Sequence, residues 1–392
     1  MPVKTITLSD EEWDEANGGS RDNVMIGGGT EISECGTLDQ ENATYVLQND
    51  IDVAVSCFDV QAHGVTLNLN EHTVKGVTAP AGTRGVVVDG YDDVFIRNGR
   101  LENWYEGIYL RNVQDSVVTG ITTSGNSLGV SFDSVSDSRV YDSVFSANTG
   151  HGIKVKGSGN IIGNNVLAGN GNTGMTVSGS HNIIQGNTIV GNQNAGIYIS
   201  SGLNNSVLDN IANGTLAGTG IDIGLNANQN RIWNNVANGN QEYGIHLISN
   251  SENNVVDNIA EGNYIGIAVN YSTLNTLTDN SAAFSGSHGI ALKSVTFSNF
   301  ERNNASFNQE DGFTARGSSD NQFVDNIVLR NDNYGFELQS STNGNTLDSN
   351  IICQNVAADL YCSSAAASNT YVSNMFDLES GFCSAGPAIP CS

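Results

Sequence analysis

Basic residues are scarce in this chain: 15 Lys and Arg stand against 41 Asp and Glu, a formal net charge of −26. A surface so acidic repels phosphate backbones and anionic lipid headgroups, so nucleic acid and membrane surfaces are set aside as general partners. Charged residues are themselves few, 14% of the chain, which is not the signature of halophilic adaptation. No run of 18 apolar residues occurs, so no membrane insertion is expected. The opening stretch, Met1 to Asp10, lacks the basic and apolar regions of a signal peptide; export would follow another route or the removal of a leader. Cysteine is missing from the whole interval between Cys57 and Cys353. Cys35, Cys57, Cys353, Cys362, Cys383 and Cys391 gather at the two ends, with no spacing that suggests zinc. An even count at the ends suits disulfides formed in an oxidising compartment. The expected pairs are Cys35–Cys57, Cys353–Cys362 and Cys383–Cys391, with reduced, buried thiols as the alternative.

Proline is rare and helix formers are few, whereas Gly (45), Asn, Ser and Thr abound. That mixture suits short strands joined by tight turns, where Gly and Asn tolerate left-handed backbone. The register of the apolar residues argues against disorder. A glycine followed by an apolar, variable, apolar triplet recurs at Gly85, Gly107, Gly129, Gly152, Gly174, Gly196, Gly220, Gly244, Gly266, Gly289, Gly312 and Gly335, always 22–24 residues apart. A worn copy at Asp359 lacks the glycine. A near-constant period of this length marks a solenoid with one shared core.

Each repeat reads as three short strands. A polar row, Asn98, Asp142, Asn165, Asn187, Asn210, Asn235, Asn258, Asn280, Asn304, Asn326 and Asn350, with Gly120 interposed, predicts an asparagine ladder along the axis. Asp93, Asp115 and Asp137 lead into Asn160, Asn182 and Asn205, a stack that water or a bound Ca²⁺ could stabilise. Residues 1–34 carry no repeat; Ser9 and Glu12 form a capping box for a short helix over residues 10–16, a candidate N-terminal cap. Residues 35–374 form the solenoid, and residues 375–392 drop the pattern as a C-terminal cap or tail.

The repeat, together with the segment from Cys35 through Tyr45–Ile51 to Val65–Gly76, resembles the right-handed parallel β-helix repeat family of NosD-like and pectate-lyase-like proteins. The resemblance implies an all-β, single-stranded right-handed parallel β-helix of about 13 regular coils with capped ends. It leaves activity open, because the family holds lyases, hydrolases, epimerases, tailspikes and adhesins.

In each triplet the apolar pair points inward and the variable residue outward, so successive coils stack one exposed column at about 4.8 Å spacing. That column runs Val87, Tyr109, Ser131, Lys154, Thr176, Tyr198, Asp222, His246, Ala268, Ala291, Thr314 and Glu337. The residue two further on gives a second column containing Asp89, Arg111, Asp133, Lys156, Ser178, Ser200, Lys293 and Arg316. Tyr198, Asp222 and His246 fall on three consecutive coils, and Trp104, Tyr105, His151, Tyr243, Tyr264, His288 and Tyr334 line the turn before the triplet. An acidic polysaccharide is the expected partner. Arg111, Lys154 or Lys156 would neutralise a uronate carboxylate, His246 or Tyr198 would move the adjacent proton, and Asp222 would orient His246. Tyr109, Trp104 and Tyr243 would hold sugar rings. The outcome would be β-elimination or C5 epimerisation by an extracellular or cell-surface protein. The Asp-Pro-His motif of the mannuronan epimerases and a pectate-lyase calcium cluster are both missing, and an ordinary solvated polar column remains the plainer reading. Paired carboxylates for hydrolysis, Asp89 and Asp133, are a third option, and an adhesin, tailspike-like or structural solenoid is the non-enzymatic alternative.

Overall fold

The computed structural model describes residues 29–77, 81–364, 366, 368–383, 385 and 388–391; the helix expected over residues 10–16 lies outside them. The molecule is a right-handed parallel β-helix of about 15 turns, and all strand pairings among the described residues are parallel. A representative turn places Met175–Ser178, Ile183–Gln185 and Thr188–Val190 on three faces, and the next places Ile197–Leu203, Ser206–Leu208 and Ile211–Asn213 directly above them. From Val236 to Asn304 the third strand of each turn shrinks to a single bridge. Stacking already begins at Thr30–Ile32, which pairs with Tyr45–Leu47, and ends beyond Glu379–Gly381, which pairs with Leu360–Cys362.

The apolar pairs of the triplets fill one continuous core with aliphatic side chains. Towards the C-terminus these give way to aromatic rings: Phe313 stacks on Phe336 at 4.6 Å and Phe300 on Phe323 at 5.1 Å. The leading glycines are not at positive φ. A Cβ at Gly266 would lie 2.7 Å from the carbonyl oxygen of Gly289 and 2.8 Å from Ala282 Cβ. Close approach of the next coil, rather than backbone handedness, thus fixes glycine there. The left-handed positions belong to other residues, including Asp93, Asp115 and Asp137 and, unusually for their bulk, the exposed Phe284, Phe297 and Phe307.

Three buried ladders replace the single one expected. One runs Asn165, Asn187, Asn210, Asn235, Asn258, Asn280, Asn303, Asn326, Asn350 and Asn374. Its member is Asn303 rather than Asn304, and Ser143 rather than Asp142 precedes Asn165. Asn98, Gly120 and Asp142 stand one residue earlier, at positive φ. A second ladder contains Asn160, Asn182, Asn205, Asn230 and Asn253. The Asp93, Asp115 and Asp137 row likewise stands one residue before it and is followed by Gly159 and His181, so it does not continue into Asn160. The third ladder ends through Asn308, Asn331 and Asn355 on the buried carboxylate of Asp359.

The N-terminal disulfide is Cys35–Cys57, as expected. The C-terminal pairs are Cys353–Cys391 and Cys362–Cys383, which corrects the expected pairing. Cys353 and Cys362 belong to different faces of one coil. The tail folds back across that coil, so each of its cysteines meets a cysteine of the tail.

Candidate functional site

Strand register fixes the outward column. Thr176, Tyr198, Asp222, His246, Ala268, Ala291, Thr314, Glu337 and Tyr361 are consecutive partners. The second column slips once: a bulge sets Ser178 opposite Ser201 instead of Ser200.

His246 and Asp222 meet as the sequence suggests, with Nδ1 of the imidazole 3.1 Å from Asp222 Oδ1. The other ring nitrogen is 2.9 Å from the Asn270 amide nitrogen, which donates to it. Tyr243 stacks on the ring at 4.7 Å. The imidazole is therefore held at both nitrogens and on one face; only 12% of its side chain is exposed. Tyr198 leans across Gly224, where a Cβ would come within 2.9 Å of its ring. Burial, then the Asp222 charge, pushes its phenol above the ordinary tyrosine value.

The cations of the face divide into two groups. Arg111 is ion-paired with Asp89, and Lys156 with Asp133 at 2.9 Å, so neither is free for an external anion. Lys154, Lys293 and Arg316 are exposed and, among the described residues, have no carboxylate partner. Lys293 and Arg316 are register partners on adjacent coils. Lys154 lies two coils from Tyr198, next to His151, whose pKa burial and then the Lys154 charge depress.

Two of the expected sugar-binding rings are otherwise engaged. Trp104 is buried in the core, and its indole N–H donates to the Val74 carbonyl at 3.0 Å. The chain turns inward at Trp104 and outward only at Tyr105. Tyr109 lies on the face, but the Arg84 guanidinium covers its ring at 3.9 Å.

A second cluster, not anticipated as a unit, occupies the column four coils beyond His246. His288 and Asp311 immediately precede the leading glycines of two adjacent coils, and the turn folds them back over the strand face. His288 bridges two carboxylates, with Nε2 3.2 Å from Glu310 and Nδ1 3.1 Å from Asp311. Asp311 is fully buried and also accepts from the Asn333 amide at 2.8 Å and the Tyr334 N–H at 3.1 Å. Glu337 accepts from Thr314 Oγ1 at 3.0 Å and from Gln339. Burial, with the nearby Asp311 charge, raises the Glu337 pKa; the hydrogen bonds from Gln339 and Thr314 oppose this. Burial works against the His288 charge, but the Asp311 hydrogen bond and the charges of Asp311, Glu310 and Glu337 outweigh it and raise the imidazole.

Both raised groups favour the protonated, folded state. Their stabilisation is complete below the unfolded-state pKa values and is lost as pH rises through the folded ones. The thermal midpoint of the wild type should therefore fall relative to that of Glu337→Gln as pH is raised from about 4 to about 8. A difference between the two that stays constant over this range would show that burial does not raise the Glu337 carboxyl.

Over residues 48–242 and 218–375 the chain matches the family model described as periplasmic copper-binding protein (NosD). A search among curated proteins finds no match. Among solved structures, the A-module of the Azotobacter vinelandii mannuronan C-5 epimerase AlgE4 is similar at 14% identity and a TM-score of 0.34, covering 89% of this chain and 91% of that one. The Dettilon tailspike protein is similar at 15% and 0.47, covering 84% and 62%. The periplasmic alginate epimerase AlgG is similar at 12% and 0.39, covering 85% and 77%. Likenesses this distant say nothing of chemistry.

Proposed function

The chain belongs to the NosD family of parallel β-helix proteins, and we propose that it binds an acidic polysaccharide along its glycine-led face. One observation carries the reading. In a protein of net charge −26, exposed Lys293 and Arg316 stand side by side without a carboxylate partner among the described residues. Beside them Ala268 and Ala291 make a low floor between the taller His246 and Glu337. Exposed Tyr264 and Tyr271 flank this stretch on opposite sides, and Lys293 lies over the Tyr271 ring at 5.1 Å. A floor of small residues, aromatic edges and paired cations suits a sugar chain bearing carboxylates.

If the face is catalytic, Tyr198, Asp222 and His246 supply the groups for proton transfer at a uronate carbon, the chemistry of a lyase or a C5-epimerase. His246 would then have to exchange its Asn270 contact for substrate. The double engagement of its ring favours a second reading, binding without turnover, as in an adhesin. Three disulfides support an oxidising, extracytoplasmic compartment.

The family description names copper, but the donor set here does not suit it. All six cysteines are disulfide-bonded, and Met175 is sealed in the core. Among the described residues the only grouped ligand atoms are those of Asp359, Asp377 and Cys391. Cys391 is bonded to Cys353, and both Asp359 oxygens already accept from Asn355, Asp377 and Leu378. Soft thiolate or imidazole ligation of copper has no place to form there.

Calorimetry of polymannuronate and polygalacturonate binding tests the proposal. The charge reversals Lys293→Glu and Arg316→Glu together should weaken binding by about 30-fold or more, at roughly 1 kcal/mol or more per lost charged contact. Binding should also weaken with salt. Affinity that survives both reversals would place the glycan elsewhere.

A further inference from the structure

We propose that a recess near the N-terminal end, lined by Asn42, Thr44, Gly64, Thr66, Phe95 and Arg97, holds a single uronate unit with its carboxylate on Arg97. The recess lies on the face built by the second strand of each turn and uses no residue of the glycine-led face. It shares a class of ligand with the glycan reading, and the two stand or fall separately.

Register builds the recess. Thr44, Thr66 and Phe95 are consecutive outward partners on three coils, and Asn68 and Arg97 are partners two residues further along the same strands. Two coils of small side chains thus end against the larger Phe95 and Arg97, and the step between them is a hollow of about 430 Å³. That volume falls within the range of small-molecule sites. Asn42, Gly64 and Asp93 succeed one another in the preceding turn, all at positive φ. A Cβ at Gly64 would collide with Asn42 Oδ1, so glycine there leaves the amide its place at the edge of the hollow.

Chemistry selects the ligand. Arg97 is half-buried and leans back towards Phe95, its Cζ 5.5 Å from the ring centroid. Its Nε is buried with no hydrogen-bond partner, the one arginine nitrogen among the described residues in that state. Arg84, Arg111 and Arg302, by contrast, each hold a carboxylate. A buried charged donor left unpaired is destabilising, and native proteins satisfy such groups with a protein acceptor, water or a ligand. The guanidinium keeps its charge, and its planar fork matches a carboxylate. The Thr44 and Thr66 hydroxyls and the Asn42 amide suit sugar hydroxyls, and the Phe95 ring suits the C–H face of a pyranose. Asp93 is the other charged residue lining the hollow. It is exposed and separated from Arg97 by Phe95 and roughly 10 Å of strand, so salt screens its repulsion of a carboxylate held there.

The test titrates the full chain calorimetrically with D-galacturonate, D-galactose and inorganic phosphate. Galacturonate should bind at least about tenfold more tightly than galactose, the difference being one charge-assisted contact. Arg97→Gln should weaken galacturonate binding by about 10- to 100-fold. Thr66→Val keeps the side-chain shape and removes the hydroxyl; it should weaken binding by about three- to tenfold, and it reads the site even if Arg97→Gln fails to fold. Lys293→Glu with Arg316→Glu should leave this binding unchanged while weakening the polymer on the glycine-led face. No galacturonate binding, or binding indifferent to Arg97 and Thr66, would overturn the proposal and leave the polymer reading intact. Phosphate bound as tightly as galacturonate would overturn it as well, by showing an anion site with no preference for sugar. Galacturonate binding lost with Lys293 and Arg316 would place the uronate on the glycine-led face instead.

Discussion

Asn258→Ala lowers the unfolding free energy by about 4 kcal/mol, more than any single change on the exposed face. The Asn258 side chain accepts from the Asn235 backbone N–H and side-chain amide, both at 2.9 Å, and donates to the Ile232 carbonyl and the Asn280 amide oxygen at 2.9 Å. It is fully buried, so no water replaces it. Truncation strands three or more polar groups at about 1–3 kcal/mol each. Because each turn rests on its neighbours, the loss propagates as a weak plane across the solenoid. Chemical denaturation reads it directly, and a loss under about 1 kcal/mol would mean that the ladder is decorative. Asn304→Ala, one residue outside the ladder, is the matched comparison and should cost much less.

Reduction of the disulfides should free the C-terminal end while leaving the middle turns intact. Cys353–Cys391 and Cys362–Cys383 close spans of 38 and 21 residues, worth about 3–4 kcal/mol each in loop entropy. The tail they hold makes few ladder bonds of its own, and Glu379–Gly381 is its last named strand. Hydrogen exchange with and without reductant should show residues 353–391 losing protection, with the Asn165–Asn303 turns unchanged. Equal loss throughout would show that the ends control the whole solenoid; no loss would show that the tail is held by packing alone.

The fold was legible because its period is written in glycine and in the apolar pairs, and both have strict steric causes. The outward column was legible for the same reason: alternation along a strand leaves no choice of face. What failed was the turns, where alternation ends. Trp104 and Tyr105 are neighbours, yet one is buried and the other exposed, and nothing in a period of two assigns them. The ladder was placed one residue away at Asn304 because Asn303 and Asn304 are chemically identical, and only the stacking bond separates them. The Asp311–Glu337 pair went unseen because Glu337 belongs to the column and Asp311 to the turn before it. Its signal was present all the same: His288 and Asp311 both stand directly before a leading glycine, one coil apart. Among the cations, the sequence located Arg111 and Lys156 but could not show that Asp89 and Asp133 neutralise them.

The ladders also give the molecule an electrical direction. Along the longest ladder each asparagine from Asn165 to Asn350 donates one side-chain N–H to the amide oxygen of its C-terminal neighbour, and from Asn187 on each oxygen accepts from the N-terminal one. Side-chain amide dipoles are therefore aligned head to tail along the axis, with the positive end at the C-terminus. There one of the three rows terminates on a formal negative charge, Asp359, which receives both the backbone and side-chain N–H of Asn355. The repeat that has lost its glycine has gained an anion, at the point where a one-way chain of dipoles would otherwise end uncompensated.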